Sequence, residues 1–318
     1  MAKILIFGYY GYGNFGDELL LATLKDHLKE HDLVVVSGDP VSTEKLHEIK
    51  AISRKMFWQR PGQHELFLLG GGSLLQNATS NRSLAYYLAA IERAKLAGMD
   101  VYLMAQGLGP INGWWPQIAI PRILKEIPLT VRDKQSLKIA KGLHLKADLV
   151  ADLAISYESY PKKKSRQFIG VAPKKGFITQ ANINWLLSFE REIRLLAFHR
   201  QDHELCFKLE KLLPRAHTVL LEKPSDLEQM AELDFLWGMR LHSLIIAVAM
   251  GIPALGISYD PKVAAFCQEA NLCWHQIEQL PQKEWIRSGE KQELTSRAKK
   301  NWQLFANYIK APTSGHSY

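Results

Sequence analysis

Short apolar runs alternate with amphipathic stretches along most of this 318-residue chain. In the first half the apolar runs predict strands over Lys3–Phe7, Leu33–Ser37, Glu65–Leu69, Val101–Ala105 and Leu129–Val131. Between them the pattern predicts helices over Asp17–Glu30, Arg82–Ala97 and Lys134–Lys141. Leu20, Leu24 and Leu28 recur every fourth residue, which puts them on one buried helix face. Asp17, directly after Gly16, is placed to cap that helix.

The alternation breaks over Tyr157–Gln167 into Tyr, Ser, Pro and Lys, the composition of an interdomain linker. It then resumes, with strands over Phe168–Ala172, Arg194–Phe198, His217–Leu221, Asp234–Trp237 and Ala254–Ser258. Helices are expected over Asn182–Arg191, His203–Leu213, Leu227–Ala231, Leu241–Met250 and Pro261–Ala270, and a last one over Glu290–Tyr308. Strands alternating with helices build parallel sheets with crossover helices on their faces. The expectation is an α/β protein of two Rossmann-like domains facing a cleft: residues 1–160, residues 161–290, and a C-terminal helix in 291–318 that packs back across a domain. Ligands of such sheets gather beyond the carboxyl ends of the strands, so the cleft is the expected site.

Composition narrows the class. No apolar run approaches the roughly 20 residues that span a bilayer. Ile4–Phe7 is too short for a signal-peptide core and runs straight into a glycine loop. The cysteines, Cys206, Cys267 and Cys273, have no spacing that suggests a disulfide framework or a zinc site, which fits a reducing cytoplasm. A net charge of +8 favours acidic partners. The cations are mostly scattered, and the runs Lys162–Lys164 with Arg166 and Arg297–Lys299 read as solvated surface, not as a nucleic-acid stripe.

Chemistry concentrates at strand ends. The segment Gly238-Met-Arg-Leu-His-Ser243 puts a guanidinium (Arg240), an imidazole (His242) and a hydroxyl (Ser243) at one helix start. Unpaired N–H groups there carry partial positive charge and favour an anion. An imidazole can give or take a proton near neutral pH, so His242 can act as an acid beside that anion. The plainer alternative is a strand-to-helix turn with a salt-bridged Arg and a capping Ser. After the first strand, Gly8-Tyr-Tyr-Gly-Tyr-Gly-Asn-Phe-Gly16 holds four glycines in nine residues, a backbone suited to close approach of a ligand at Gly13 and Asn14. Its letters match G-x-G-x-x-G, yet Val36-Ser37-Gly38 stands where a dinucleotide fold places an acid, and Asp17 and Glu18 disfavour a pyrophosphate. A sugar hydroxyl is the better guest, with Asp17 as its proton acceptor; the alternative is that Asp17 only caps the helix.

Two further glycine turns, Gly70-Gly-Gly-Ser73 and Gln106-Gly-Leu-Gly109, add donors at Gly71, Gly72, Ser73 and Gln106. Arg132 follows the strand Leu129–Val131 and can fork onto a carboxylate or phosphate. Lys174, His199 and Lys262 follow strands of the second half and complete the candidate set.

Together, GYYGYGNFGDE (Gly8–Glu18), GGGSLLQ (Gly70–Gln76), AQGLGPI (Ala105–Ile111), TVRD (Thr130–Asp133) and GMRLHSLIIAVAMGIPALGISYDPKV (Gly238–Val263) resemble the polysaccharide pyruvyl transferase family, in its CsaB-like branch. The resemblance implies two Rossmann domains arranged as in B-type glycosyltransferases, with the acceptor on the N-terminal side and phosphoenolpyruvate on the C-terminal side. It implies transfer of a pyruvyl group from phosphoenolpyruvate to a sugar of a cell-surface polysaccharide precursor as a ketal, with phosphate released and no cofactor or metal. The acceptor would typically be lipid-linked, for a cytoplasmic enzyme or one peripheral to the inner membrane face, and a homo-oligomer is compatible. His242 is then the acid that protonates the enol carbon, Asp17 the acceptor's partner, and Arg132 and Arg240 the counter-charges. The rival is a nucleotide-sugar glycosyltransferase of the same architecture, whose donor ribose usually wants a carboxylate on the helix; Ser243–Gly251 has none.

Overall fold

The computed structural model of the chain describes residues 1–162, 164, 167–279 and 282–310. Lys163 and Arg166 of the basic run, part of the expected linker, and residues 311–318 of the C-terminal segment lie outside the described residues. The first sheet contains β1 (Lys3–Phe7), β2 (Asp32–Ser37), β3 (Lys50–Ser53), β4 (Leu66–Gly70), β5 (Asp100–Gln106), β6 (Leu129–Val131) and β7 (Asp148–Leu149). The second contains β8 (Phe168–Ala172), β9 (Glu192–Ala197), β10 (Ala216–Leu220), β11 (Leu233–Gly238), β12 (Ala254–Ser258) and β13 (Cys273–Gln276). The helices of the first half are α1 (Phe15–His27), α2 (Pro40–His47), α3 (Arg54–Gln59), α4 (Asn81–Leu96), α5 (Trp114–Leu124) and α6 (Lys134–Gly142). Those of the second half are α7 (Gln180–Leu187), α8 (Arg200–Glu210), α9 (Glu228–Ala231), α10 (Leu241–Met250), α11 (Pro261–Glu269) and α12 (Gln292–Lys310).

All strand pairs are parallel, in the orders β3-β2-β1-β4-β5-β6-β7 and β10-β9-β8-β11-β12-β13. The protein therefore has two parallel-sheet α/β domains, as the alternation predicts. In each sheet the chain reverses its direction of travel between two central neighbours, β1 and β4 in one and β8 and β11 in the other. At such a switch point the two connections leave toward opposite faces and open a crevice at the strand ends. The glycine loop after β1 and the turn Gly238–Arg240 after β11 occupy these two crevices.

The central strands are buried on both faces, which is why they read as unbroken apolar runs. Phe7 packs against Phe57 and Phe67, and Trp237 against Trp185 and Phe177. A third apolar cluster runs through both halves, from Leu20 and Leu24 of α1 to Leu244 and Ile245 of α10. The halves also bond directly: Phe15 N–H donates to Phe198 O at 2.8 Å, and the rings of Phe15 and Phe198 meet edge to face. α12 lies against the first sheet, with Phe305 on Tyr102 and Asn301 bonded to Thr130 at 2.9 Å. From there Arg297 donates to Val150 O and Arg132 O and pairs with Glu269 at 2.8 Å, joining the two halves beneath the cleft.

Candidate active site

The two switch points bring the starts of α1 and α10 together. Asn14 caps α1, its Oδ1 accepting from Gly16 N–H at 3.2 Å, which corrects the sequence expectation of an Asp17 cap and leaves the Asp17 carboxylate on the cleft wall. Glu18 turns the other way: Oε1 accepts from Gly11 N–H at 2.8 Å and Oε2 meets buried His47 at 2.8 Å. That pair holds the glycine loop, whose Gly11 adopts φ of 77° with no room for a side chain, since a Cβ would stand 2.2 Å from Ser37 Oγ.

His242 is in the first turn of α10, and its ring lies over Gly16 so closely that a Cβ there would be 2.1 Å from Nδ1. Its Nε2 is buried and has no hydrogen-bond partner among the described residues. Asp152 Oδ2 stands 3.7 Å from that nitrogen, an ion-pair contact too long for a hydrogen bond. The same oxygen accepts from Arg132 Nη1 at 2.9 Å, while Arg132 Nη2 donates to Ser73 Oγ at 2.7 Å and Nε lies 3.5 Å from Asp133. Burial works against ionisation of Asp152, but His242, Arg132 and the N–H of Ala154 more than reverse it and hold the carboxyl well below the usual range. Arg132, Asp152 and His242 thus form one row of ionisable groups, of which Arg132 and His242 reach the cleft.

Asp17 behaves in the opposite way. Burial pushes its carboxyl up to about 7, with Glu18 and Asp152 adding to the rise and His242 and Arg132 opposing it. Lys262 is lowered by burial and by the neighbouring charge of Arg132. No carboxylate of the described residues lies within 4.0 Å of its ammonium group. These groups line a cleft of about 620 Å³ that also takes in Asn14, Arg54, Arg82, Arg240 and Asp260. Five cationic side chains against two carboxylates, together with the N–H groups of two helix starts, suit it electrostatically to a small polyanion. Among the described residues no cluster of His, Cys, Asp and Glu is placed to hold a metal.

Of the residues singled out in the sequence, Asp17, Asn14, Ser73, Arg132, Arg240, His242 and Lys262 line this cleft. Arg240 does so with its guanidinium already forked onto Asp202, Nε to Oδ2 at 2.9 Å and Nη2 to Oδ1. Gly71 and Gly72 adopt φ of 73° and 81°, and Gly72 brings its backbone against the Asp17 carboxylate, 3.3 Å from where a Cβ would be.

Others are corrected. Ser243 is fully buried and bonds back to Arg240 O at 2.6 Å, so its hydroxyl is structural. Gln106 is also fully buried, and its amide donates to Leu69 O and Met104 O, binding β5 to β4 and not a ligand. His199 caps α8 by accepting from Gln201 N–H at 3.0 Å, and its ring does not line the cleft. Lys174 lies behind the rim with Nζ 4.0 Å above the Tyr259 ring. The carbonyl of Gly13 accepts from Arg200 N–H across the interface at 3.3 Å, a bond between halves.

Sequence reasoning missed Asp152, Arg54, Tyr9 and Tyr86. Asp152 follows a two-residue strand and Arg54 begins a six-residue helix, both too short to show a period. Arg54 lies over the rings of Tyr12 and Tyr86, at 4.6 and 5.0 Å, on the N-terminal wall of the cleft.

A family model for polysaccharide pyruvyl transferases matches residues 14–261, which takes in both helix starts and Arg132, Asp152 and His242. The chain belongs to the polysaccharide pyruvyl transferase family. No curated protein matches it. Among solved structures it is similar to a UDP-GlcNAc 2-epimerase from Neisseria meningitidis bound to UDP-GlcNAc, with a TM-score of 0.64 and 11% identity over 96% of this chain and 100% of that one. It is also similar to S. aureus MnaA in complex with UDP, with a TM-score of 0.60 and 12% identity over 98% of this chain and 96% of that one. Anabaena Alr3699/HepE in complex with UDP and glucose gives 0.55 at 12% identity over 96% and 95%. At these identities the likeness is one of fold: two Rossmann-type domains arranged as in the GT-B enzymes.

Proposed function

We propose that the protein transfers the pyruvyl group of phosphoenolpyruvate to two hydroxyls of one sugar in a cell-surface polysaccharide precursor, forming a ketal and releasing phosphate. The observation that carries this reading is the buried His242 Nε2, which has no hydrogen bond among the described residues and stands beside the Arg132–Asp152 pair at the floor of a cationic cleft. A buried ring nitrogen without a hydrogen bond costs free energy, and a small rotation of the ring toward a ligand in the cleft would recover that cost.

Phosphoenolpyruvate carries a carboxylate and a phosphate. Arg132, Lys262 and the N–H groups at the start of α10 supply the matching positive charge, and Arg240 adds to it with the part of its fork not held by Asp202. His242, as imidazolium, gives its proton to the methylene carbon, which becomes the methyl group, and C2 becomes electrophilic. One sugar hydroxyl adds to C2 and loses its proton to Asp17. The C2–O bond to phosphate then breaks with its electron pair on the phosphate, which takes the proton held by Asp17, and the second hydroxyl closes the ketal as its proton returns to the neutral His242. Asp17 suits the role because burial raises its carboxyl to about 7, strengthening it as a base near neutral pH. Asp152 steadies both Arg132 and the charged ring. Tyr9 and Tyr86 on the N-terminal wall give the sugar flat surfaces to lie against.

The test is phosphate release from phosphoenolpyruvate in the presence of a panel of lipid-linked and nitrophenyl sugars, with the His242→Gln variant alongside. Turnover should fall about a thousandfold in the variant while binding of phosphoenolpyruvate persists. A second panel of nucleotide sugars is followed for nucleotide release. Turnover in the second panel alone would replace this reading with that of a nucleotide-sugar glycosyltransferase.

A further inference from the structure

Away from the cleft, α5 presents a face that nothing in the described chain covers. Pro116, Ile120 and Leu124 hold the helix to the first domain. On the opposite side Trp114 is 76% exposed and Ile118 61% exposed, and Arg122 and Lys125 continue the same exposed stripe. The end of α6 and the turn after it set Lys141, His144 and Lys146 alongside, all exposed. Between the two helices an open groove of about 530 Å³ is lined by Ile118, Pro121, Leu143 and Leu145 with Arg122 and Lys125 at its edge.

The charge balance selects the occupant. From Trp114 to Lys146 the sequence holds two acids, Glu126 and Asp133, and Asp133 is turned inward to Arg132 and the cap of α6. Among the described residues none of Arg122, Lys125, Lys141 and Lys146 forms an ion pair. An indole and an isoleucine on a helix flanked by uncompensated cations is the composition of a segment that lies at a lipid interface, with the apolar groups among the acyl chains and the cations at anionic headgroups. We propose that this face docks the protein on an anionic lipid bilayer.

The position of α5 gives the docking a purpose. Its first turn follows the loop in which Asn112 and Asn77 bond reciprocally, Nδ2 to O at 2.6 Å and N to Oδ1 at 2.8 Å. The segment beginning at Asn77 continues into Thr79 and Ser80 of the cleft rim. A bilayer held against Trp114 therefore lies beside the acceptor side of the cleft, within reach of a sugar that stays attached to a lipid. The docking does not depend on the donor proposed above, because its readout is binding to lipid.

The experiment is flotation of the full chain with vesicles of phosphatidylcholine alone and of phosphatidylcholine mixed with phosphatidylglycerol. The protein should float with the anionic vesicles, stay in solution with the neutral ones, and be released by salt. Arg122→Glu with Lys125→Glu, and separately Trp114→Ser with Ile118→Ser, should each weaken binding about tenfold or more with the thermal midpoint retained. No flotation with anionic vesicles, or flotation that survives in both double variants, overturns the proposal. So does a dimer in light scattering that the Trp114→Ser, Ile118→Ser variant dissociates, since a second copy of the chain would then cover the face.

Discussion

The starts of α1 and α10 meet in the cleft, and each contributes one group that the protein itself does not satisfy. At α10 the surroundings are committed: Arg240 is forked onto Asp202 and Ser243 is bonded to its own backbone, leaving His242 Nε2 without a hydrogen bond among the described residues. At α1 the cap is Asn14 and Glu18 is tied to Gly11 and His47, leaving Asp17 without a hydrogen bond among the described residues. The difference lies in how each free group is treated by charge. Asp152 and Arg132 stand beside the imidazole, whereas the Asp17 carboxyl is governed by burial and pushed up to about 7. One helix start offers an imidazole beside an acid and a guanidinium and the other a reluctant anion, which is the division of roles that the proposed proton transfers need.

Removing Asp17 breaks the comparison most severely. Asp17→Asn keeps the shape and removes the base, and ketal formation should fall about a thousandfold in a phosphate-release assay. The same variant should be more stable than the natural protein at pH 8. In the folded state this carboxyl binds its proton up to about pH 7, against 3.8 ordinarily, so the fold binds more protons than the unfolded chain between those limits and loses stability as pH rises through them. The interval bounds the gain from Asn at about 4 kcal/mol above pH 7, vanishing below pH 4. A thermal midpoint for Asp17→Asn that is unchanged at pH 8 would show an ordinary surface carboxylate.

Gly16→Ala attacks the meeting itself. The backbone there accepts Ala, but the new methyl group would stand 2.1 Å from His242 Nδ1 and the ring must swing away. Turnover should drop about a hundredfold and the thermal midpoint should fall with it, because His242 Cβ, 2.9 Å from the new methyl group, does not move with the ring. Asp152→Asn should cost less, about tenfold, because it leaves Arg132 and His242 in place without the charge between them. Its signature is in the pH profile: with the Asp152 charge gone the Asp17 carboxyl is raised less, so the low-pH limb of kcat retreats to lower pH. A uniform loss at every pH would mean that Asp152 only supports the packing.

The sequence carried the architecture well where elements are uniformly apolar. The spans predicted for β1, β6, β8, α10 and β12 coincide with those observed, because strands buried on both faces and a helix of uniform apolarity leave strong patterns. The helices α2, α3 and α5 were not legible: each lies where turn residues or internal prolines such as Pro116 and Pro121 break the period. At the site, strand-end reasoning picked out residues by residue type and could not tell which side chains were already taken. Gln106, Ser243 and His199 have the right chemistry at the right edges, but each satisfies backbone groups of its own turn or sheet. Asp152 is the reverse case, a decisive group after a strand of two residues, visible only once β7 aligns beside β6.

Ser243 provides the finest test of that distinction. Its hydroxyl donates to Arg240 O at 2.6 Å, a carbonyl that also accepts from the N–H groups of Ser243 and Leu244. Ser243→Ala therefore removes one bond without leaving a buried acceptor unpaired, and the loss should be about 1 kcal/mol of stability. Because the hydroxyl is fully buried beneath the turn, kcat/KM should stay within about twofold of the natural value, the scale of a change that touches no group in the transition state. A loss above tenfold with the midpoint intact would place the hydroxyl on the ligand, and the start of α10 would then offer two uncommitted groups to the single one at α1.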